Sequence, residues 1–187
     1  MTAQGRPPDP SRRAATLARA TDYVLRNGLA GLSLRPLATA LGTSTRMLLY
    51  DFGSKEHLVA EVLAEARRRE AALLSEWRRE PSASDAATLH AIWSWIGAEE
   101  RVPFLRLFFE VYVDAMTHPE RYASVAAAMV EDWLGVIASE WRVDTPDPAT
   151  ATLMIAVVRG LLLDRLATGE TDRTDAALAR FAKLIER

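Results

Sequence analysis

Positions 43–46 read Thr-Ser-Thr-Arg, directly after Gly42. Three hydroxyls and a guanidinium in consecutive positions can bond phosphate oxygens and base edges. An arginine in particular can make two bonds to O6 and N7 of guanine. Where such residues open a helix, the unpaired backbone N–H groups and the positive end of the dipole add to the attraction for an anion. Thr43, Ser44, Thr45 and Arg46, with Arg35 upstream, are therefore candidates for reading DNA. Each bidentate arginine–guanine pair would be worth ~1–3 kcal/mol of discrimination. Lys55, at the start of a later helix, suits a phosphate.

Rival chemistry is poorly supplied. The three histidines, His57, His90 and His118, never stand three or four residues apart, and there is no cysteine. No paired-histidine zinc motif, carboxylate cluster, phosphate-cradling glycine loop or nucleophile elbow is present. Catalysis, a metal and a cofactor are not expected. The lack of cysteine suits a reducing cytoplasm. No apolar run reaches the ~18 residues that would suggest a membrane span.

The elements that must position these side chains can be read over residues 31–63. Ser33 can cap a short helix in which Leu34, Leu37, Ala38 and Leu41 share one face. Gly42 can take the positive φ that lets the chain leave that helix. Ser44 caps a second helix over 45–52, with Leu48 and Phe52 turned inward. Gly53 and Ser54 end it and open a long third helix. Two short helices joined by a tight glycine turn form the helix-turn-helix pattern, whose second helix enters the major groove. Ahead of it, Ser11 can cap a bracing helix to Asn27, with Ala14, Leu17, Thr21, Val24 and Leu25 inward and Gly28 as its stop. Charge follows the same division. Residues 1–55 carry eight basic and three acidic side chains, while the whole chain has net charge −2. A basic head on an acidic body suits a polyanion-binding segment.

Over residues 12–65 the chain resembles the DNA-binding domain of the tetracycline-repressor (TetR) family. The resemblance rests on Gly31-x-Ser33-Leu34-Arg35, on Leu37-Ala38 with Leu41-Gly42, and on Leu48 to Phe52 running into Ser54-Lys55-Glu56-x-Leu58. It implies base contacts from Arg35, Thr45 and Arg46 and backbone contacts from Ser33, Tyr50 and Lys55. It further implies a homodimer on a palindromic operator of double-stranded DNA. Three positions depart from the family pattern: Met47 for Thr, Leu49 for Tyr and Asp51 for His. Asp51 would set a negative charge near phosphate. Either the register of contacts differs here, with Tyr50 replacing the missing hydroxyl, or Asp51 pairs internally with a nearby arginine.

The rest of the chain reads as helices near 54–79, 85–97, 101–117, 119–141, 148–168 and 172–186, with no alternating pattern that would make a sheet. The expected fold is all-α with about nine helices. It comprises a flexible arm (1–10), a three-helix DNA-binding domain (11–58) and a helical ligand-binding and dimerisation domain (59–187). Between 102 and 116 the only charges, Arg106, Glu110 and Asp114, form one narrow stripe, so most of this helix must lie inside something. Trp93, Phe104, Phe108, Tyr112, Met116, Met129 and Trp133, with Trp95 and Trp141, could enclose a hydrophobic small molecule. The 148–168 helix is apolar all round. With the last helix it supplies a candidate dimer interface of Leu153, Val157, Leu161, Leu178, Phe181 and Ile185, edged by Arg159, Asp164 and Arg165. The expected function is a ligand-responsive transcriptional regulator, a repressor released by a hydrophobic effector. The alternative is a dimeric all-α small-molecule-binding protein with a degenerate DNA-binding head.

Overall fold

The computed structural model describes residues 9–77, 84–140 and 148–185. Most of the expected arm, the break at 81–83, Trp141 and residues 144–147 lie outside them. Among the described residues there are nine α-helices, one short 3-10 turn and no strand. They form two compact units, residues 1–77 and 78–187.

The first unit holds α1 (Pro10–Asn27), α2 (Leu34–Ala40), α3 (Thr45–Phe52) and α4 (Lys55–Trp77). The first helix starts earlier than expected, because Asp9 and not Ser11 is its cap. The Asp9 carboxylate accepts from the Ser11 amide at 3.0 Å, and Pro10 at the first position needs no donor. Helix α2 ends as the sequence suggests. Gly42 has φ +64°, the Thr43 amide reaches back to the Ala38 carbonyl at 2.9 Å, and the Gly42 amide reaches Thr39 at 3.1 Å. This paired closure satisfies carbonyls that the helix end would otherwise orphan. Ser33 holds the cap position of α2 in extended backbone, but its hydroxyl makes no capping bond.

Helices α1 and α3 pack on α4. Val24, Leu37, Leu48, Phe52, Leu58, Val62 and Leu63 are all buried, and so is Ala20. Ala14, expected inward, is exposed. Polar ties reinforce this packing. Arg69 of α4 bonds Asp22 of α1 at 2.6 Å and the Ala18 carbonyl at 3.2 Å. It also bonds Glu65 at 2.7 Å. Burial pushes the Glu65 carboxyl up, but the hydrogen bonds and charges of Arg69 and Arg68 outweigh that and hold it below its ordinary 4.5. A carboxyl held down in the fold stabilises above its unfolded pKa and loses that contribution as pH falls through the folded value. Urea unfolding should therefore show stability falling below pH 4.5, and falling less steeply in a Glu65→Gln variant.

The second unit holds α5 (Asp85–Ile96), the 3-10 turn Glu99–Arg101, α6 (Val102–Thr117), α7 (Pro119–Glu140), α8 (Pro148–Thr168) and α9 (Thr171–Ile185). Helix α6 packs on α7 and α8, and α9 packs on α5 and α8. Leu105, Leu107, Phe108 and Val111 of α6 are buried, while Val113 and Met116 are exposed. Asp164 and Arg165 serve the protomer itself. Arg173 of α9 pairs with Asp164 at 2.6 Å. Arg165 pairs with Asp175, bonds the Thr174 hydroxyl at 3.0 Å and lies over the Trp93 ring at 4.6 Å. Among the described residues no helix is long and apolar enough to cross a membrane.

Candidate nucleic-acid interface and internal cavity

Helix α3 is two-sided over its eight residues. The Ser44 hydroxyl accepts from the Met47 amide at 3.2 Å and fixes the helix start. Leu48, Asp51 and Phe52 face inward and are buried. On the other side Ser44, Arg46, Leu49 and Tyr50 are exposed, with Thr43 and Thr45 half-buried. From neighbouring segments Ser33, Arg35 and Lys55 are exposed as well. No acidic group pairs with Arg35, Arg46 or Lys55 among the described residues. A surface of hydroxyls and unneutralised cations at a capped helix N-terminus can accept phosphate and donate to base edges.

Asp51 does not face outward. Its carboxylate accepts two bonds from the Arg12 guanidinium, at 2.8 and 2.6 Å, and its side chain is 1% exposed. The neighbouring Arg13 donates to the Asp51 carbonyl at 3.0 Å, pairs with Glu61 of α4 and covers the Phe52 ring at 4.7 Å. His57 meets the same Glu61 carboxylate at 2.8 Å. The two arginines at the start of α1 thus clamp the C-terminal end of α3. Of the two readings left open for Asp51, internal pairing is the one observed. No spacing rule would have found a partner 39 residues away.

The second unit contains a partly open cavity, with about 620 Å³ of atom-free space, some of it continuous with solvent. Phe104, Phe108 and Trp133 line it, as do Leu105 and Phe109 of α6 and Leu89 and Ile92 of α5. Helix α8 adds Met154, Ile155, Val158, Arg159 and Leu162. Tyr112 stacks on Phe108, with centroids 5.8 Å apart, and accepts a bond from Arg159 at 2.8 Å. The other candidates lie elsewhere. Trp93 is buried with its indole N–H on Asp175 at 2.6 Å, Met129 is buried off the wall, and Met116 is 69% exposed. Trp95 lies under the Arg101 guanidinium at 4.5 Å. The signal for Arg159 was available: it is the single charge interrupting the apolar run 153–163.

Helix α8 also has an outward side. Leu153, Ala156, Gly160, Leu163 and Ala167 are exposed at steps of three and four residues, while Val157 and Leu161 are half-buried. On α9, Leu178 is buried within the protomer. Phe181 and Ile185 pack on the cluster of Ala151, Met154 and Ile155. Leu184 is exposed. The remaining polar groups offer little chemistry. His90 bonds within α5 and His118, just past the end of α6, bonds back to Asp114 of that helix, and no group of three metal-ligating side chains gathers among the described residues.

No family model matches the chain, and no curated protein does. Solved structures do match over nearly the whole length. A transcriptional regulator from Rhodococcus is 24% identical, with a TM-score of 0.75, covering 95% of this chain and 96% of that one. The multidrug binding protein EbrR complexed with ethidium is 25% identical, with a TM-score of 0.74, covering 95% and 100%. A TetR transcriptional regulator from Legionella pneumophila is 20% identical, with a TM-score of 0.67, covering 96% and 98%.

Proposed function

We propose, from the premise that this chain has the fold of the TetR-family transcriptional regulators, that it is a ligand-responsive DNA-binding regulator. What carries the reading is the two-sidedness of α3: Ser44 and Arg46 exposed, with Thr43 and Thr45 half-buried, above a buried Leu48, Asp51 and Phe52. The buried pairing of Asp51 with Arg12 removes the main reason for calling the head degenerate. Functionally the head is residues 11–58 and the body 59–187, a division that runs through α4 although the compact units divide after Trp77. Arg35, Thr45 and Arg46 read bases, while Ser33, Thr43, Ser44, Tyr50 and Lys55 hold the backbone and set the helix N-terminus against it.

The protein acts in the cytoplasm as a homodimer on a palindromic operator, with two recognition helices meeting successive major grooves. It is a repressor released by a small molecule with an apolar body, seated among Phe104, Phe108 and Trp133. Release follows from linkage: an effector that binds the DNA-incompetent state better weakens DNA binding by its differential affinity. That EbrR, a protein of this fold, is solved in complex with ethidium supports a small-molecule ligand here.

The test is selection from a random duplex pool followed by footprinting. A palindromic site should be protected, and protection should weaken steeply with salt. Arg46→Ala should lose ~5–100-fold on the preferred site and relax discrimination at one base pair. Lys55→Ala should weaken all duplexes alike and lower the salt slope by about one. If no duplex is enriched, the regulator reading fails.

A further inference from the structure

Among the described residues the cavity wall carries a single charged side chain. Arg159 lines it, between Val158 and Leu162 on the same helix. Its guanidinium is held by Tyr112: Nη1 donates to the Tyr112 hydroxyl at 2.8 Å, and Cζ lies 4.6 Å from the Tyr112 ring centroid and 5.6 Å from that of Phe108. Its Nη2 is buried and, among the described residues, has no hydrogen-bond acceptor. No carboxylate pairs with it among the described residues, although the other arginines of α8 and α9 with ion pairs, Arg165 and Arg173, find theirs at Asp175 and Asp164.

A permanent cation set in apolar surroundings without a counter-charge loses solvation that nothing repays. Phenol and ring faces recover only a part of it. A site left in that condition favours a ligand that brings the missing charge, because a charge-assisted bond to a guanidinium is about twice as strong as a neutral one. We infer that the effector is an apolar anion, a carboxylate on an aromatic or aliphatic body, with Nη2 of Arg159 as its anchor. The body of such a molecule lies along Phe104, Phe108, Trp133 and Met154, and its acid group meets Arg159. Tyr112 is a positioning residue, since it holds the guanidinium through Nη1 and leaves the second nitrogen without a partner. This identification of the ligand class rests on the regulator reading only in naming the ligand an effector; the anion site itself does not need DNA.

The experiment is calorimetric titration of the full chain, without DNA, with two matched series: 2-naphthoate, 2-naphthylmethanol and 2-naphthylmethylamine, and decanoate, decanol and decylamine. In at least one series the carboxylate should bind ~10-fold or more tighter than the alcohol, with the amine weakest. In Arg159→Met that preference should vanish while the alcohol stays within about threefold. A carboxylate no tighter than its alcohol in both series overturns the inference, as does a preference that survives in Arg159→Met. Should that variant fail to fold, the ranking in the parent protein alone decides. A mobility-shift arm separates the two readings. Carboxylates that bind without affecting any duplex would leave the anion site standing and remove the regulator. Release from DNA by the amines and not the acids would keep the regulator and overturn the anion site.

Discussion

Replacing Asp51 with alanine should lower the thermal midpoint of the head by roughly 10 °C and abolish DNA binding under conditions where the parent binds. The carboxylate accepts two short bonds from Arg12 in a place almost without solvent. Removing one partner of a fully buried pair costs about 3–5 kcal/mol. Here Arg12 is 39% exposed and can regain water, so the loss should fall near 2 kcal/mol. In a unit of this size that corresponds to the stated shift. The loss of DNA binding would follow because α3 is short, and a helix of two turns has little stability apart from what it packs on. Arg12→Met, which strands a carboxylate almost without solvent, should cost at least as much, and the double variant should be no worse than Arg12→Met alone. Such a cycle isolates the pair from its surroundings. A parent-like melt in Asp51→Ala would show that Leu48 and Phe52 alone suffice to hold the helix.

A second substitution, Leu163→Arg, should turn the proposed dimer into a monomer. Leu163 is 49% exposed in the protomer, so the change leaves the fold unstrained. The exposed row of Leu153, Ala156, Gly160, Leu163 and Ala167 is apolar along the helix. Its small residues would let a second copy of α8 come close. A two-fold interface repeats each contact, so one substitution places two guanidinium groups in it. The dimer dissociation constant should rise by at least ~100-fold, as expected for loss of a central interface residue. Sedimentation velocity would measure it directly, and operator binding should weaken along with it. If the variant remains a dimer, the two-fold contact lies elsewhere, with the exposed Leu184 of α9 the next surface to alter.

These two substitutions mark what could and could not be read from sequence. The helices and the turn between α2 and α3 were legible because their signals are local. Gly42, Gly53 and Ser44 stand where a cap or a left-handed residue is needed, and Leu48 and Phe52 stand one turn apart. Which of two adjacent caps starts α1 was not legible, since Asp9 and Ser11 are both good acceptors; Pro10, placed for a first helical position, was the overlooked clue. An internal arginine partner for Asp51 was only one of two open readings, and its identity as Arg12 was not legible, because the two meet through tertiary packing. For α8 the difficulty is different in kind. A helix apolar all round has no phase, so its cavity residues Met154, Ile155, Val158 and Leu162 could not be told from its outward ones. The aromatic content of the cavity was partly legible through Phe104, Phe108 and Trp133. Trp93 and Met129 are equally apolar, and periodicity cannot tell a wall from a filler.

The two-sided build of α3 has a bearing on how this protein could change over generations. Asp51 and Phe52 anchor its later turn and Leu48 the inner side where the two turns meet, whereas Thr45 and Arg46 open the first. Variation at the first turn therefore leaves the scaffold's free energy almost untouched. A lineage carrying this head can drift among target sequences without passing through unfolded intermediates, and a randomised library at 43, 45 and 46 should be rich in folded members with new preferences.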